Sequence, residues 1–149
     1  MFKKILVPVD GSDASMKGLE AAVALAKIHG SNLRLVHIVN ELILVAAEGP
    51  PMYFADLVQS LRESGQALLK KAEAYVREQG LQPEAILLES VGGRAANLIV
   101  EQARKWPADL IVMGTHGRRG LGRLALGSDA EMVLRSTPVP ILLVRSDGE

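Results

Sequence analysis

The residues best suited to chemistry lie in a glycine-rich segment, positions 114–127, which reads GTHGRRGLGRLALG and holds five of the chain's 14 glycines. Glycine permits positive φ angles and lets backbone N–H groups approach a ligand closely, where successive groups can form an anion-binding nest. The guanidinium groups of Arg118, Arg119 and Arg123 can each donate two hydrogen bonds to phosphate oxygens. This set of donors suits a polyphosphate.

A predicted helix follows this segment directly. It runs from Ser128 to about Ser136, and its first N–H groups and positive dipole end favour an anion. The alternative is a solvated loop without a ligand, because Ser128 and Glu131 match the S-x-x-E capping box, which needs none. The place of the loop in the predicted fold favours phosphate binding.

Short apolar segments alternate with longer segments of helical period, and this alternation predicts the fold. The predicted strands are 3–9, 32–39, 84–89, 110–113 and 140–144, and the predicted helices are 15–29, 56–79, 94–106 and 128–136. Residues 40–55 read as a loop that can include helical turns. The strands lack polar alternation, which indicates a parallel sheet covered by helices on both faces.

We therefore expect one α/β domain over residues 1–149, a Rossmann-like three-layer sandwich with strand order 3-2-1-4-5. This order reverses between the first and fourth strands, and such sheets bind ligands beyond the C-terminal strand ends at that point. The site should be built from the residues that come after Val9 and after Met113. Asp10 is a candidate ligand contact there, although it could instead brace the turn into the first helix, which Ser12 or Asp13 could also cap.

Composition excludes several classes of protein. Lys+Arg and Asp+Glu are both 17, and this balance argues against nucleic acid or an anionic membrane as partner. Without cysteine there is no disulfide framework, thiolate metal site or cysteine nucleophile. The N-terminal apolar run stops at Asp10, short of the roughly 7–15 residues that the apolar core of a signal peptide needs, and no run reaches the about 20 residues that span a bilayer. We expect a cytoplasmic protein.

The chain resembles the universal stress protein family over its whole length. The spacing Gly114-x2-Gly117-x9-Gly127-Ser128 is similar to the nucleotide-binding motif of that family. Further matching segments, in the same order along the chain, are residues 5–12, 37–39, 113–117, 127–131 and 138–144. Several matched segments in order are more specific than a single glycine pattern.

The resemblance to the ATP-binding branch implies a site for ATP with Mg²⁺, the metal being held through the phosphates. Asp10 would accept from ribose hydroxyls, and Ile38 would meet adenine through its backbone. Asp129 departs from the pattern: its carboxylate would repel the γ-phosphate, help hold the metal or point away. The predicted site residues are Pro8, Val9, Asp10, Ile38, Met113, Gly114, Thr115, His116, Gly117, Arg118, Arg119, Gly120, Gly127, Ser128 and Asp129.

Three functions remain open. The leading one is an ATP-binding regulatory protein of the stress response, a homodimer that pairs through the apolar strand 140–144 at an expected sheet edge. The second is a phosphoryl-transfer enzyme or slow ATPase. The chain lacks the P-loop Gly-Lys-Ser/Thr and an apparent nucleophile–base pair, which argues against efficient catalysis. The third is a nucleotide-free dimeric scaffold.

A few other residues have structural interpretations. His37 is expected to be a satisfied residue at a strand end, and Trp106 a core anchor. The turn Gly92-Gly93-Arg94 is expected to lead into a helix without contacting a ligand. Pro8 cannot donate to a neighbouring strand, which fits a strand whose pairing ends there.

Overall fold

A computed structural model of the protein describes residues 1–40, 52–116 and 126–146. In these residues five strands alternate with four helices. The strands are β1 (Lys4–Pro8), β2 (Asn32–Asn40), β3 (Glu84–Ser90), β4 (Leu110–Gly114) and β5 (Ile141–Val144). The helices are α1 (Asp13–His29), α2 (Met52–Glu78), α3 (Ala95–Lys105) and α4 (Ser128–Ser136).

The strands form one parallel sheet of order β3-β2-β1-β4-β5, which confirms the predicted topology. β1 pairs with β2 along its whole length, from Lys4 opposite Asn32 to Pro8 opposite Val36. With β4 it pairs only at Ile5 and Leu6. Pairing across the point where the strand order reverses therefore stops before either strand ends, and the crevice beyond it is bounded by the residues that follow β1 and β4.

Alternate side chains of each central strand enter two separate cores. Ile5 and Val7 pack with α1 and α2 on one face of the sheet, in a cluster that includes Leu19 and Val76. Leu6 belongs to the cluster on the other face, where α3 and α4 pack. A strand buried on both faces has no polar side to show, which explains why the strands read as continuous apolar runs.

The element ends differ from prediction at several places. β1 ends at Pro8 and α1 begins at Asp13, two residues earlier than predicted, because Ser12 is its N-cap. α2 begins at Met52, not at residue 56. The sequence has prolines at 50 and 51, and a helix can begin at or just after a proline. The remainder of the predicted loop, residues 41–51, lies outside the described residues.

The edge of the sheet where the strands begin is stabilised by charged groups around Trp106, which is buried as predicted. The Lys4 ammonium lies 5.5 Å and the Arg34 guanidinium carbon 4.7 Å from the centre of an indole ring of Trp106. The Asp109 carboxylate accepts from the N–H groups of Lys3 and Lys4, at 2.8 and 3.1 Å. These contacts stabilise the edge of the sheet that lies opposite the C-terminal strand ends, where the ligand site is expected.

None of the helices in the described part of the chain is long and apolar enough to cross a membrane.

Candidate functional site

The turn between β1 and α1 is closed by its own side chains. Ser12 is the N-cap of α1, and its hydroxyl oxygen accepts from the Ser15 N–H at 3.1 Å. Asp10 accepts from the Ser12 N–H at 2.8 Å through a carboxylate oxygen, while the Asp10 N–H donates to the Ser15 hydroxyl at 3.0 Å. Asp10 therefore braces the turn, the alternative role considered for it. Its contact with a ribose stays a prediction.

This turn is connected to the end of β4. The Ser12 hydroxyl also donates to the His116 carbonyl at 3.3 Å. Thr115, which is buried, donates its N–H to the Val144 carbonyl at 2.9 Å and accepts from the Gly127 N–H at 2.6 Å. Its hydroxyl lies 2.8 Å from Nδ1 of His116. Thr115 thus joins β5 and the start of α4, the two elements that flank it.

Gly114 has a packing role, which could not be inferred from its position in the glycine-rich segment. A Cβ on Gly114 would lie 2.6 Å from the Ala14 carbonyl carbon and 2.7 Å from the Ser15 nitrogen, closer than real Cβ atoms come. Gly18, one turn along α1, faces the same strand end, where a Cβ would lie 3.3 Å from the Gly114 nitrogen. The first turns of α1 therefore rest directly on the backbone of β4, and Gly114 is required for that contact whether or not a ligand is bound.

The start of α4 is open by comparison. Its N-cap is Gly127, which has no side chain to accept from the helix amides. The first hydrogen bond of the helix runs from the Glu131 N–H to the Gly127 carbonyl, at 2.9 Å. The N–H groups of residues 128–130, which form the first turn, therefore have no partner inside the helix. The predicted capping box is wrong: Ser128 is the first helical residue, and the Glu131 carboxylate accepts from Arg135 at 2.8 Å.

Asp129 introduces negative charge at this open start. The residue is exposed overall, yet its carboxyl group is partly withdrawn from water. This desolvation and then repulsion by the Asp10 carboxylate raise the pKa of Asp129, whereas the Arg94 guanidinium lowers it. The residues that follow β1, those that begin α4 and the N-cap residue of α3 are thus within electrostatic reach of one another.

Arg94 is a candidate site residue that sequence reasoning left in a structural role. It is the N-cap of α3 and makes no side-chain cap. Its Nη1 lies 3.0 Å from Sδ of Met132, which is one turn after Asp129 on α4. A guanidinium over this face of α4 can attract a phosphate or partly neutralise Asp129. The sequence signal was its place at the end of the Gly92-Gly93-Arg94 turn between β3 and α3, in which Gly92 has a φ of +72° in the structure.

Most predicted site residues lie at one edge of the sheet. Pro8 ends β1, Val9 and Met113 are buried, and Ile38 is half-buried against the core beneath α3 and α4. Gly127, Ser128 and Asp129 begin α4. Residues outside the described part of the chain are Gly117, Arg118, Arg119, Gly120 and Arg123.

The described residues supply groups that can bind an anion. The described residues contain no group of three or more His, Cys, Asp or Glu side chains able to hold a metal ion. They do offer unbonded amides at a helix start, next to a switch-point crevice with one arginine and two carboxylates nearby. An anion that brings its own divalent cation would match this mixture of charges.

The sheet order and the open helix start define a Rossmann-like α/β protein with its candidate ligand site at the strand reversal. The model of the universal stress protein family matches residues 1–145, and the chain belongs to that family. It is 39% identical to a universal stress protein of Methanocaldococcus jannaschii over 147 residues, covering 97% of this chain and 83% of the relative.

Solved structures agree with this assignment. The universal stress protein UspA from Lactobacillus plantarum superposes with a TM-score of 0.82 at 25% identity, covering 97% of this chain and 98% of that one. A universal stress protein in complex with cAMP superposes with a TM-score of 0.67 at 25% identity, covering 97% of both chains. The second structure shows that a protein of this family and fold binds an adenine nucleotide.

Proposed function

We propose that this protein binds ATP with Mg²⁺ at the strand reversal and acts as a regulatory protein of the stress response. The observation that carries the proposal is the uncapped start of α4 beside the point where β1 and β4 stop pairing. Helix starts of this kind at a switch point are suited to phosphate groups. The cAMP complex of a relative supports adenine as the base.

The proposed division of the site follows the chemistry of its parts. The adenosine would lie toward Pro8, Asp10 and Ile38, and the phosphates toward Gly127 and Ser128. The glycine-rich segment would add N–H donors and the guanidinium groups of its arginines. Mg²⁺, bound through phosphate oxygens, would offset the negative charge of Asp10 and Asp129. Ordering of the segment by the ligand would change the surface offered to a partner.

The number of phosphates can be tested by calorimetry. We expect ATP with Mg²⁺ to bind more tightly than AMP, because three arginines and several amides are more donors than one phosphate requires. Equal affinities for the two nucleotides would contradict a site that reads the outer phosphates. Steady turnover of ATP above about 1 s⁻¹ would favour the enzyme alternative.

The place of the phosphates can be tested with Gly127→Val. A branched side chain at the N-cap would occupy space that the phosphates need, so ATP should no longer raise the melting temperature, as a ligand of the native state does. Gly93→Val is the matched control, because Gly93 precedes α3 at the same sheet edge and, among the described residues, its Cβ would meet only Ser90 Oγ, at 3.8 Å. If the two variants gain equally from ATP, the phosphates do not bind at α4.

We also propose that the protein is a cytoplasmic homodimer that pairs through β5. In the described sheet β5 pairs only with β4, and Leu142 on it is 39% exposed. Light scattering should give a mass of about twice 16.0 kDa, and Leu142→Lys should reduce this mass to that of the monomer. Ile28→Lys, the same change at an exposed residue of α1, should leave the dimer intact. A dimer that survives Leu142→Lys would exclude this edge.

A further inference from the structure

We propose that His37 is a positioning residue of the nucleotide site. It holds the backbone at the end of β1 in the position that binding of the adenosine requires. The inference rests on the proposed nucleotide binding and assigns to that site a side chain that does not itself line it. The geometry involves β1, β2 and α2.

Val9, the residue after β1, is held by two consecutive residues of β2. Its N–H donates to the Val36 carbonyl at 2.8 Å, and its carbonyl oxygen lies 2.8 Å from Nδ1 of His37. A carbonyl can only accept, so Nδ1 carries the proton and donates. The Val9 side chain is buried, with 3% exposed. Both backbone polar groups of Val9 are therefore satisfied away from bulk water.

The ring of His37 is seated by a glycine in the middle of α2. A Cβ on Gly65 would lie 2.7 Å from Cδ2 of His37 and 2.8 Å from Cδ1 of Leu87, both closer than real Cβ atoms come. Glycine inside a helix is less favourable than alanine by about 1 kcal/mol. Here it provides the space that keeps the imidazole between α2 and the sheet with Nδ1 directed at Val9.

The consequence for the site follows from the chain order. Asp10 comes next after Val9 and is fixed on its other side by Ser12 and Ser15. Without the donor on His37, the Val9 carbonyl is a buried acceptor without that partner, and the backbone must shift to find another. That shift moves the Pro8–Asp10 segment, against which the ribose is proposed to bind.

The test compares His37→Phe with His37→Asn. Phenylalanine fills the ring space without a donor, whereas the Asn amide nitrogen can donate from nearly the place of Nδ1. With ATP and Mg²⁺ in a calorimeter, we expect His37→Phe to bind about tenfold more weakly than the parent, the order of one hydrogen bond. His37→Asn should recover most of that loss. Parent-like affinity in His37→Phe would overturn the inference.

Two further variants separate positioning from general destabilisation. Val76→Ala removes a fully buried side chain near the C-terminal end of α2, away from the contact between Gly65 and His37. It should therefore lower stability and leave ATP affinity unchanged. Gly65→Ala should displace the ring and weaken ATP as His37→Phe does, with no additional loss when the two are combined. If Val76→Ala weakens ATP equally, His37 is only structural. If the parent binds no adenine nucleotide at all, the proposed function fails first.

Discussion

Two helices start at the same edge of the sheet, α1 after β1 and α4 after β4, and their first turns are built in opposite ways. The α1 start is closed: Ser12 caps it, Asp10 braces it, and Gly114 lets it rest on β4. The α4 start has Gly127 as N-cap and no side-chain cap. The positive ends of both helix dipoles face the crevice, but of these two helices α4 is the one whose first amides lack a side-chain cap and are open to a ligand.

The same comparison separates two glycines of one sequence motif. Gly114 and Gly127 stand at the two ends of the glycine-rich segment, and the resemblance assigned both to the nucleotide. Gly114 is required by the approach of α1, at contacts as short as 2.6 Å to where its Cβ would be. Gly127 leaves the amides of α4 without a side-chain cap. One end of the motif therefore serves the fold, and the other is the candidate ligand contact.

The largest effect on stability is expected from Gly114→Ala. A Cβ there meets the α1 backbone, which cannot move aside as a flexible side chain would, so the free energy of unfolding should fall by about 1–3 kcal/mol or more. Gly127→Ala, the matched change at the open helix, should cost less than about 1 kcal/mol. Denaturant unfolding of both variants measures the difference. Equal losses would show that α1 does not depend on close contact with β4.

A smaller effect is expected from removing the cap of α1. Ser12→Ala loses the bonds to Ser15 and His116 and should lower the free energy of unfolding by about 1 kcal/mol. Ser128→Ala removes a hydroxyl from the exposed first turn of α4 and should stay within about 0.5 kcal/mol of the parent. The same denaturant titrations compare them. If Ser128→Ala lowers the free energy of unfolding as much as Ser12→Ala does, Ser128 also caps its helix and the two helix starts do not differ.

The smallest effect is expected from Asp129→Asn, and it should depend on pH. Because the pKa of Asp129 is raised in the folded protein, its charged form is less favourable there than in the unfolded chain. The stability associated with its protonated form is fully present below the ordinary aspartate pKa, near 3.9, and is lost as the pH rises through the folded value. The variant should therefore be more stable than the parent at neutral pH, with the gain disappearing in acid.

Asp13→Asn provides the matched control for this charge, because Asp13 lies in the first turn of α1. Removal of a carboxylate that favours a helix start should lower stability at neutral pH, by about 0.3–1 kcal/mol. Thermal unfolding at neutral pH should thus give opposite signs for the two variants, and a pH series of Asp129→Asn should show its gain disappearing in acid. Stabilisation by Asp129→Asn that is greatest in acid would contradict the direction of the pKa shift.

The strand order could be predicted because alternation of apolar runs with helical segments, together with the right-handed crossover rule, leaves few arrangements. The position of the site followed from the topology. The role of Gly114 could not, since a glycine required by a ligand and one required by a neighbouring helix look alike in one sequence. The cap of α4 was misplaced by one residue because Gly127 and Ser128 are both acceptable N-caps.

Side-chain contacts between residues far apart in the chain could not be predicted from the sequence either. Nothing in the pattern around His37 indicates that Gly65, 28 residues later, faces its ring. A glycine inside a helical period was a signal that some close approach occurs, but not of what approaches. Arg94 likewise reads as part of a turn until α3 and α4 are seen to pack side by side.

The packing of Lys4 and Arg34 against Trp106 has a spectroscopic consequence. It is the single tryptophan of the chain, and it lies at the edge where the strands begin. A strand of about five residues separates that edge from the crevice by about 17 Å. Emission from the indole should therefore shift to the red when the core opens and change little when a ligand binds at the opposite edge, so the chain carries its own optical reporter of unfolding.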